Sequence, residues 1–196
     1  MRARLAITLG VLLLCGGTAA AQTRRRWIAI APGSLSPDDP FTATLSFRGT
    51  LGWIASDRTA FSFDYTRQSA NRSEGSDLGK YARNYFGVSW QHGSAQAFAD
   101  DDLMKQQYLF RVGVGLLTRG TFRGVSPAEH LKTAGFVDVG AEIRYPFTQR
   151  LAAVGTLDDV LAFLPHQVVT SGSQTYVFGG DVQHNFGLFI ALQWRV

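Results

Sequence analysis

The sequence predicts an all-β chain that closes as an eight-stranded, antiparallel, up-and-down barrel spanning a membrane. Three observations predict it. Apolar and polar residues alternate with a period of two in one short segment after another. Glycine is abundant at 21 residues and aromatics make up 12% of the chain, while long apolar runs are absent from its body, a balance that favours many short strands. Finally, the tryptophans fall together at one end of the strands they belong to.

The N-terminal residues read as a secretory signal over 1–21. Arg2 and Arg4 supply positive charge, Leu5 to Leu14 an apolar core, and Ala19-Ala20-Ala21 a small-residue cleavage site before Gln22. That core is shorter than the roughly 20 residues a spanning helix needs. Cleavage there removes Cys15, the one cysteine, so neither a disulfide nor a thiolate metal site is expected in the mature chain. Leu14, where a lipoprotein signal carries a small residue, argues against lipid attachment at Cys15. Residues 22–196, about 175 in all, suffice for one domain, expected to be the barrel. The formal charge of +4 includes Arg2 and Arg4, so the mature chain is only mildly basic and no nucleic-acid partner is expected. Arg24-Arg25-Arg26 reads as a solvated terminal arm.

Each strand follows from its alternation. Trp27 to Ala31 is the first, ended by Pro32, with Ile28 and Ile30 competing with Trp27 for the outer face. Phe41 to Ala55 sets Leu45, Phe47, Gly49, Leu51 and Trp53 against Ser46, Arg48 and Thr50. After a Ser56-Asp57-Arg58 turn, Phe61, Phe63 and Tyr65 alternate with Ser62, Asp64 and Thr66. Phe86, Val88 and Trp90 then oppose Gly87, Ser89 and Gln91. In the fifth and sixth strands, Tyr108, Phe110, Val112, Val114 and Leu116 oppose Arg111, and Val137, Val139, Ala141, Ile143 and Tyr145 oppose Asp138, Glu142 and Arg144. Leu151, Ala153 and Leu157 face Thr156 and Asp158 in a weaker seventh. In the last, Leu188, Ile190, Leu192, Trp194 and Val196 lie on one face, with Phe189, Ala191, Gln193 and Arg195 on the other.

An even strand number and periplasmic termini require short turns after strands two, four and six and longer loops elsewhere. Ser56 to Arg58 and Pro146 to Gln149 obey. Gly93 to Lys105, carrying Asp100-Asp101-Asp102, is too long. The outer loops are expected at Gly33 to Pro40, Ser69 to Lys80, Arg119 to Thr133 and Asp159 to about Gln183. The apolar Val160 to Leu164 in the last of these reads as an extension of strand seven, and Tyr176-Val177-Phe178 as an early start of strand eight. Under this topology Trp27, Trp53, Trp90, Tyr108, Tyr145 and Trp194 form an aromatic girdle at the periplasmic boundary, where amphipathic rings are favoured.

On these features the chain resembles the small eight-stranded bacterial outer-membrane barrels of the OmpA/OmpX type. They are the signal peptide, the Arg144-Tyr145-Pro146-Phe147-Thr148-Gln149-Arg150-Leu151 tight-turn segment and the Gly187 to Val196 strand. That last strand is similar to the C-terminal assembly signal of such barrels, with Trp194 and Val196 where a terminal Phe is usual. The resemblance covers residues 24–196. It implies a location in the outer membrane, contact with outer-membrane lipid and lipopolysaccharide, delivery by the barrel assembly machinery, and a monomer; with the last strand running to Val196, no peptidoglycan-binding domain is expected after the barrel.

Inside the barrel the pattern places Arg48, Asp64, Arg111, Asp138, Glu142, Arg144 and Arg195, which must pair because unpaired buried charge is costly. The expected result is a salt-bridged lumen, with a narrow gated pore as the functional alternative. His92, His130, His166 and His184 are scattered, so no metal and no cofactor is expected. Gln91-His92-Gly93-Ser94 is weakly similar to the His-x-Ser segment of outer-membrane lipid A deacylases, which implies His92 as base and Ser94 as nucleophile. Ala95 stands where that family has Asn, the segment falls at the periplasmic end, and only Asp100 to Asp102 offer a nearby acid, so no catalytic residue is expected. Arg67, Arg119 and Arg123, with Arg72 and Lys80, are candidate contacts for lipopolysaccharide phosphates. The expected role is therefore structural or surface-interacting and non-enzymatic. The rival readings are a lipid A-modifying barrel enzyme, a gated pore and a soluble lipocalin-like barrel.

Overall fold

The structure is a computed structural model. It describes residues 25–37, 41–72, 80–94, 97–98, 103–120, 132–171, 174–178 and 180–196. The expected signal segment, Arg24, Asp100 to Asp102, Arg123 and His130 lie outside the described residues.

Ten strands are described: β1 (Arg26–Pro37), β2 (Phe41–Ser56), β3 (Thr59–Arg72), β4 (Lys80–Gly93), β5 (Gln107–Arg119), β6 (Ala134–Pro146), β7 (Leu151–Phe163), β8 (Gln167–Ser171), β9 (Gln174–Phe178) and β10 (Val182–Arg195). Eight of them close in the order β1-β10-β7-β6-β5-β4-β3-β2, every pairing antiparallel, and β8 and β9 form a separate two-stranded hairpin. The fold class is as the alternation predicts. Closure comes from β1, which pairs with β2 on one side and β10 on the other, so no edge strand is left in the wall.

The wall has the parity expected of a lipid-facing barrel. Ile30 (70% exposed), Ile190 (66%) and Leu45 (62%) point outward, while Arg48, Asp64, Arg111, Asp138, Glu142, Arg144 and Arg195 are buried inside. One register determines both faces, because a slip of one residue would turn every charge into the lipid.

Three elements differ from expectation. The first strand does not stop at Pro32 but runs to Pro37. Pro32 pairs with Phe47 of β2, while the β1–β10 ladder skips from Ile30↔Leu192 to Gly33↔Phe189, the place where a residue without an N–H cannot donate. Trp27 is not in the girdle; it is 5% exposed and points into the lumen, because Ile28 and Ile30 take the outer face. The indole occupies the space left by Gly52, its direct partner on β2, where any added Cβ would collide with the ring. Lastly, Tyr176 to Phe178 belongs to β9, paired to β8, and does not extend the last strand, whereas Val160 to Phe163 does extend β7.

Candidate functional site

The lumen is built in layers, and each layer recurs at the same height on strand after strand. Toward the termini, Trp27, Ala29, Ile54, Ala60, Ala97, Phe98 and Leu109 make an apolar cap. Toward the outer loops, Ala31, Leu35, Tyr85, Leu117, Ala134, Phe136, Val160, Ala162, Leu164 and Phe189 make a second. Between them lies the charge. The large rings of the outer cap fit because glycines face them: Phe136 lies over Gly87 and Gly115, and Phe189 over Gly33 and Gly187.

In the middle layer two guanidinium groups meet four carboxylates. Arg111 lies 3.0 Å from Asp64, 2.9 Å from Asp138 and 3.5 Å from Glu142. Arg48 lies 2.5 Å from Asp158, donates from Nε to Thr66 Oγ1, and has the Phe189 ring 3.9 Å away for a cation–π contact. Hydroxyl and amide donors add to two of the carboxylates: Thr50, Ser62 and Ser89 donate to Asp64, and Gln91 donates to Glu142. Charges buried this deeply are tolerable only when paired and hydrogen-bonded together. Two cavities flank the layer, about 30 Å³ on the inner side and 20 Å³ on the outer. They have room for about one or two water molecules each and none for an organic ligand.

Of the connection that broke the short-turn rule, Ala97 and Phe98 are buried in the inner cap. Phe98 donates its N–H to the Asp57 carbonyl, its own carbonyl accepts from Arg195, and the Ala97 carbonyl accepts from Arg144. Arg144 also donates to Gln193 and Gln107. Ala97 and Phe98 thus act as a stopper at the inner mouth.

The lumen residues expected from the sequence thus come together, in two groups. Arg48, Asp64, Arg111, Asp138 and Glu142 form the middle layer, and Arg144 and Arg195 hold the stopper. Asp158 was missed as an ion partner although its inward parity was legible. Arg83 was missed as well; it is buried above the outer cap and donates to Gln183 and Asn185. Its signal was the inward alternation it shares with Tyr85 and Gly87. Among the described residues no group of three or more His, Cys, Asp or Glu side chains is placed to hold a metal ion.

On the outer wall, Trp53, Trp90, Tyr108 and Trp194 are exposed and Tyr145 half-exposed, each toward the end that carries the termini. Arg67 is exposed near the opposite end. Arg119, expected among the outward cations, turns inward instead: it is 6% exposed and donates to the Lys132 carbonyl. His184 and Asp159 lie 3.0 Å apart on the wall near the outer loops, where His184 also stacks with Phe186. His92 approaches Thr59 Oγ1 at 3.3 Å and stacks on Trp90 at the inner end; Ser94 beside it is exposed.

No protein-family model matches the chain, and no curated protein matches it in sequence. Solved structures do. Neisserial surface protein A superposes with a TM-score of 0.60 at 14% identity, over 87% of this chain and 96% of that one. The N-terminal β-barrel domain of Pseudomonas aeruginosa OprF superposes with a TM-score of 0.52 at 11% identity, over 86% and 97%. The fold is that of the small eight-stranded outer-membrane barrels. Identity this low carries the architecture and not the activity, so function rests on the site itself. In this chain two apolar caps and an ionic layer between them occupy the bore of that fold.

Proposed function

We propose that this chain is an integral barrel of the bacterial outer membrane with a structural or surface-interaction role, non-enzymatic and closed to solutes. One observation carries the reading. The outward face of the barrel is an apolar belt, with Ile30, Leu45, Val88, Val114, Ile143, Leu157 and Ile190 all exposed, while the ionic groups of the same strands are turned inward and paired. A soluble ligand-binding barrel has the reverse parity, with apolar residues lining its cavity. The closed bore argues against transport, since two apolar caps and a salt-bridged layer stand in series. Lipid and lipopolysaccharide are the proposed surroundings, the barrel assembly machinery acting on β10 the proposed route of insertion, and a monomer the proposed state. Any recognition falls to the outer loops and the β8–β9 hairpin, a two-stranded sheet separate from the barrel sheet.

Envelope fractionation with a gel of the membrane sample, run with and without boiling, tests the reading. An outer-membrane protein with a fast-running unboiled band is expected. A periplasmic protein with no heat-dependent shift would reject it, and steady conductance in a planar bilayer would reject closure.

A further inference from the structure

We propose that Arg67, Asn84 and Thr118 form a site on the outer wall for the phosphate of a lipid in the outer-facing leaflet. The inference rests on the proposed membrane location and adds a partner and an address to it. Arg67 of β3 is directly opposite Asn84 of β4, which is directly opposite Thr118 of β5. Directly opposed residues share a face, with Cβ atoms about 4.5–5.5 Å apart. Here that face is the lipid side, with Arg67 exposed and Asn84 and Thr118 half-exposed.

The chemistry of the row is that of an anion cradle. The Tyr65 hydroxyl donates to Asn84 Oδ1 at 2.9 Å, which occupies the acceptor end of the amide and leaves its nitrogen to donate. Thr118 adds a hydroxyl. No carboxylate stands opposite Arg67 on either side, since its other cross-strand partner is Phe47. Among the described residues the guanidinium has neither a hydrogen bond nor an ion pair. Arg83 and Arg119, by contrast, turn inward and donate to protein oxygens. His184, on the same outer wall, has Asp159.

Position supplies the ligand's source. Directly below the row, toward the termini, lie Tyr65, Phe86 and Leu116 on the same outward face, with the Tyr65 and Phe86 rings 5.0 Å apart. An arginine on a lipid-facing wall is costly at depth and cheap at the headgroup boundary, where it reaches phosphate. Its planar fork of donors matches phosphate oxygens, and neighbouring neutral donors complete the shell without adding repulsion.

The test uses the full chain in phosphatidylcholine nanodiscs, titrated with bis-phosphorylated lipid A or its dephosphorylated form. The readout is the temperature at which the compact unboiled band is lost. Lipid A is expected to raise that temperature, and the dephosphorylated form to leave it unchanged. Arg67→Ala should weaken the apparent affinity about tenfold, the worth of one charge-assisted hydrogen bond. Arg67→Gln and Asn84→Leu should weaken it less, and Arg150→Glu, on the turn at the opposite end, not at all. Equal responses of wild type and Arg67→Ala, or equal potency of the dephosphorylated lipid, would overturn the site while leaving the barrel reading intact. Absence of a compact band in phosphatidylcholine alone would overturn the membrane reading and the site with it.

Discussion

Arg48 Nη1 and Asp158 Oδ2 stand 2.5 Å apart and join β2 to β7 across the bore, with β1 and β10 between them in the wall. Both side chains are almost wholly buried, so neither can turn to water if its partner is lost. Arg48→Ala or Asp158→Ala should each cost about 3–5 kcal/mol, because each leaves an uncompensated charge. The double variant Arg48→Met, Asp158→Leu should recover most of that loss, since a packed apolar pair replaces an ion pair at little net cost. Urea unfolding in lipid vesicles compares the three. A double variant as unstable as the singles would mean that the pair is fixed by more than its own charges.

Gly52 and Trp27 set up a second test. A methyl group at Gly52 has nowhere to go but into the indole. Gly52→Ala should destabilise the barrel by about 1–3 kcal/mol, the usual range for overpacking. Trp27→Leu in the same chain should restore part of it, and the two effects should be non-additive because the side chains touch. Additive behaviour would place the indole elsewhere.

Phe98 tests the stopper. It is buried in the inner cap and its backbone is bonded to β10 and to the Asp57 turn. Phe98→Ala should cost about 3 kcal/mol or somewhat more, the lower end of what is measured for buried phenylalanine. Yet planar-bilayer recordings of the variant should stay as flat as those of wild type, because the ionic layer and the outer cap still fill the bore. Conductance from this variant alone would show that the stopper is the only barrier.

The outward belt makes a prediction that depends on solvent. Ile190→Arg places a cation on the lipid side near the middle of β10. In lipid it should cost about 2–4 kcal/mol, and in detergent much less. A soluble barrel would be indifferent to the difference, so equal loss in both media would contradict the lipid-facing assignment.

Most of the wall was legible because a strand's period of two carries both faces at once. Leu188, Ile190, Leu192 and Trp194 could not point outward without sending Gln193 and Arg195 in. The first strand was harder, since Trp27, Ile28, Ala29 and Ile30 are all apolar and alternation has no contrast to work with. The deciding fact was Gly52, on another strand and visible only once the register is known. The stopper was legible only as an anomaly of length. Its purpose depends on carbonyls accepting from Arg144 and Arg195, and backbone acceptors leave no trace in side-chain pattern. Arg119 was misread for a related reason: it closes β5 with inward parity, but beside a loop its charge suggested solvent. Arg67 kept its expected place, and its neighbours Asn84 and Thr118 emerged only from pairing across three strands.

The ties from wall to wall through the lumen have a mechanical consequence. Arg111 grips β3 and β6, Arg48 grips β7, and Arg144 and Arg195 grip Ala97 and Phe98 at the inner mouth. These act as spokes. A hollow cylinder of eight strands flattens under the lateral pressure of a crowded bilayer, but a spoked one keeps its round section. The outer ends of the strands therefore stay at fixed spacings around a rim, so that whatever meets them from outside encounters a pattern of constant geometry.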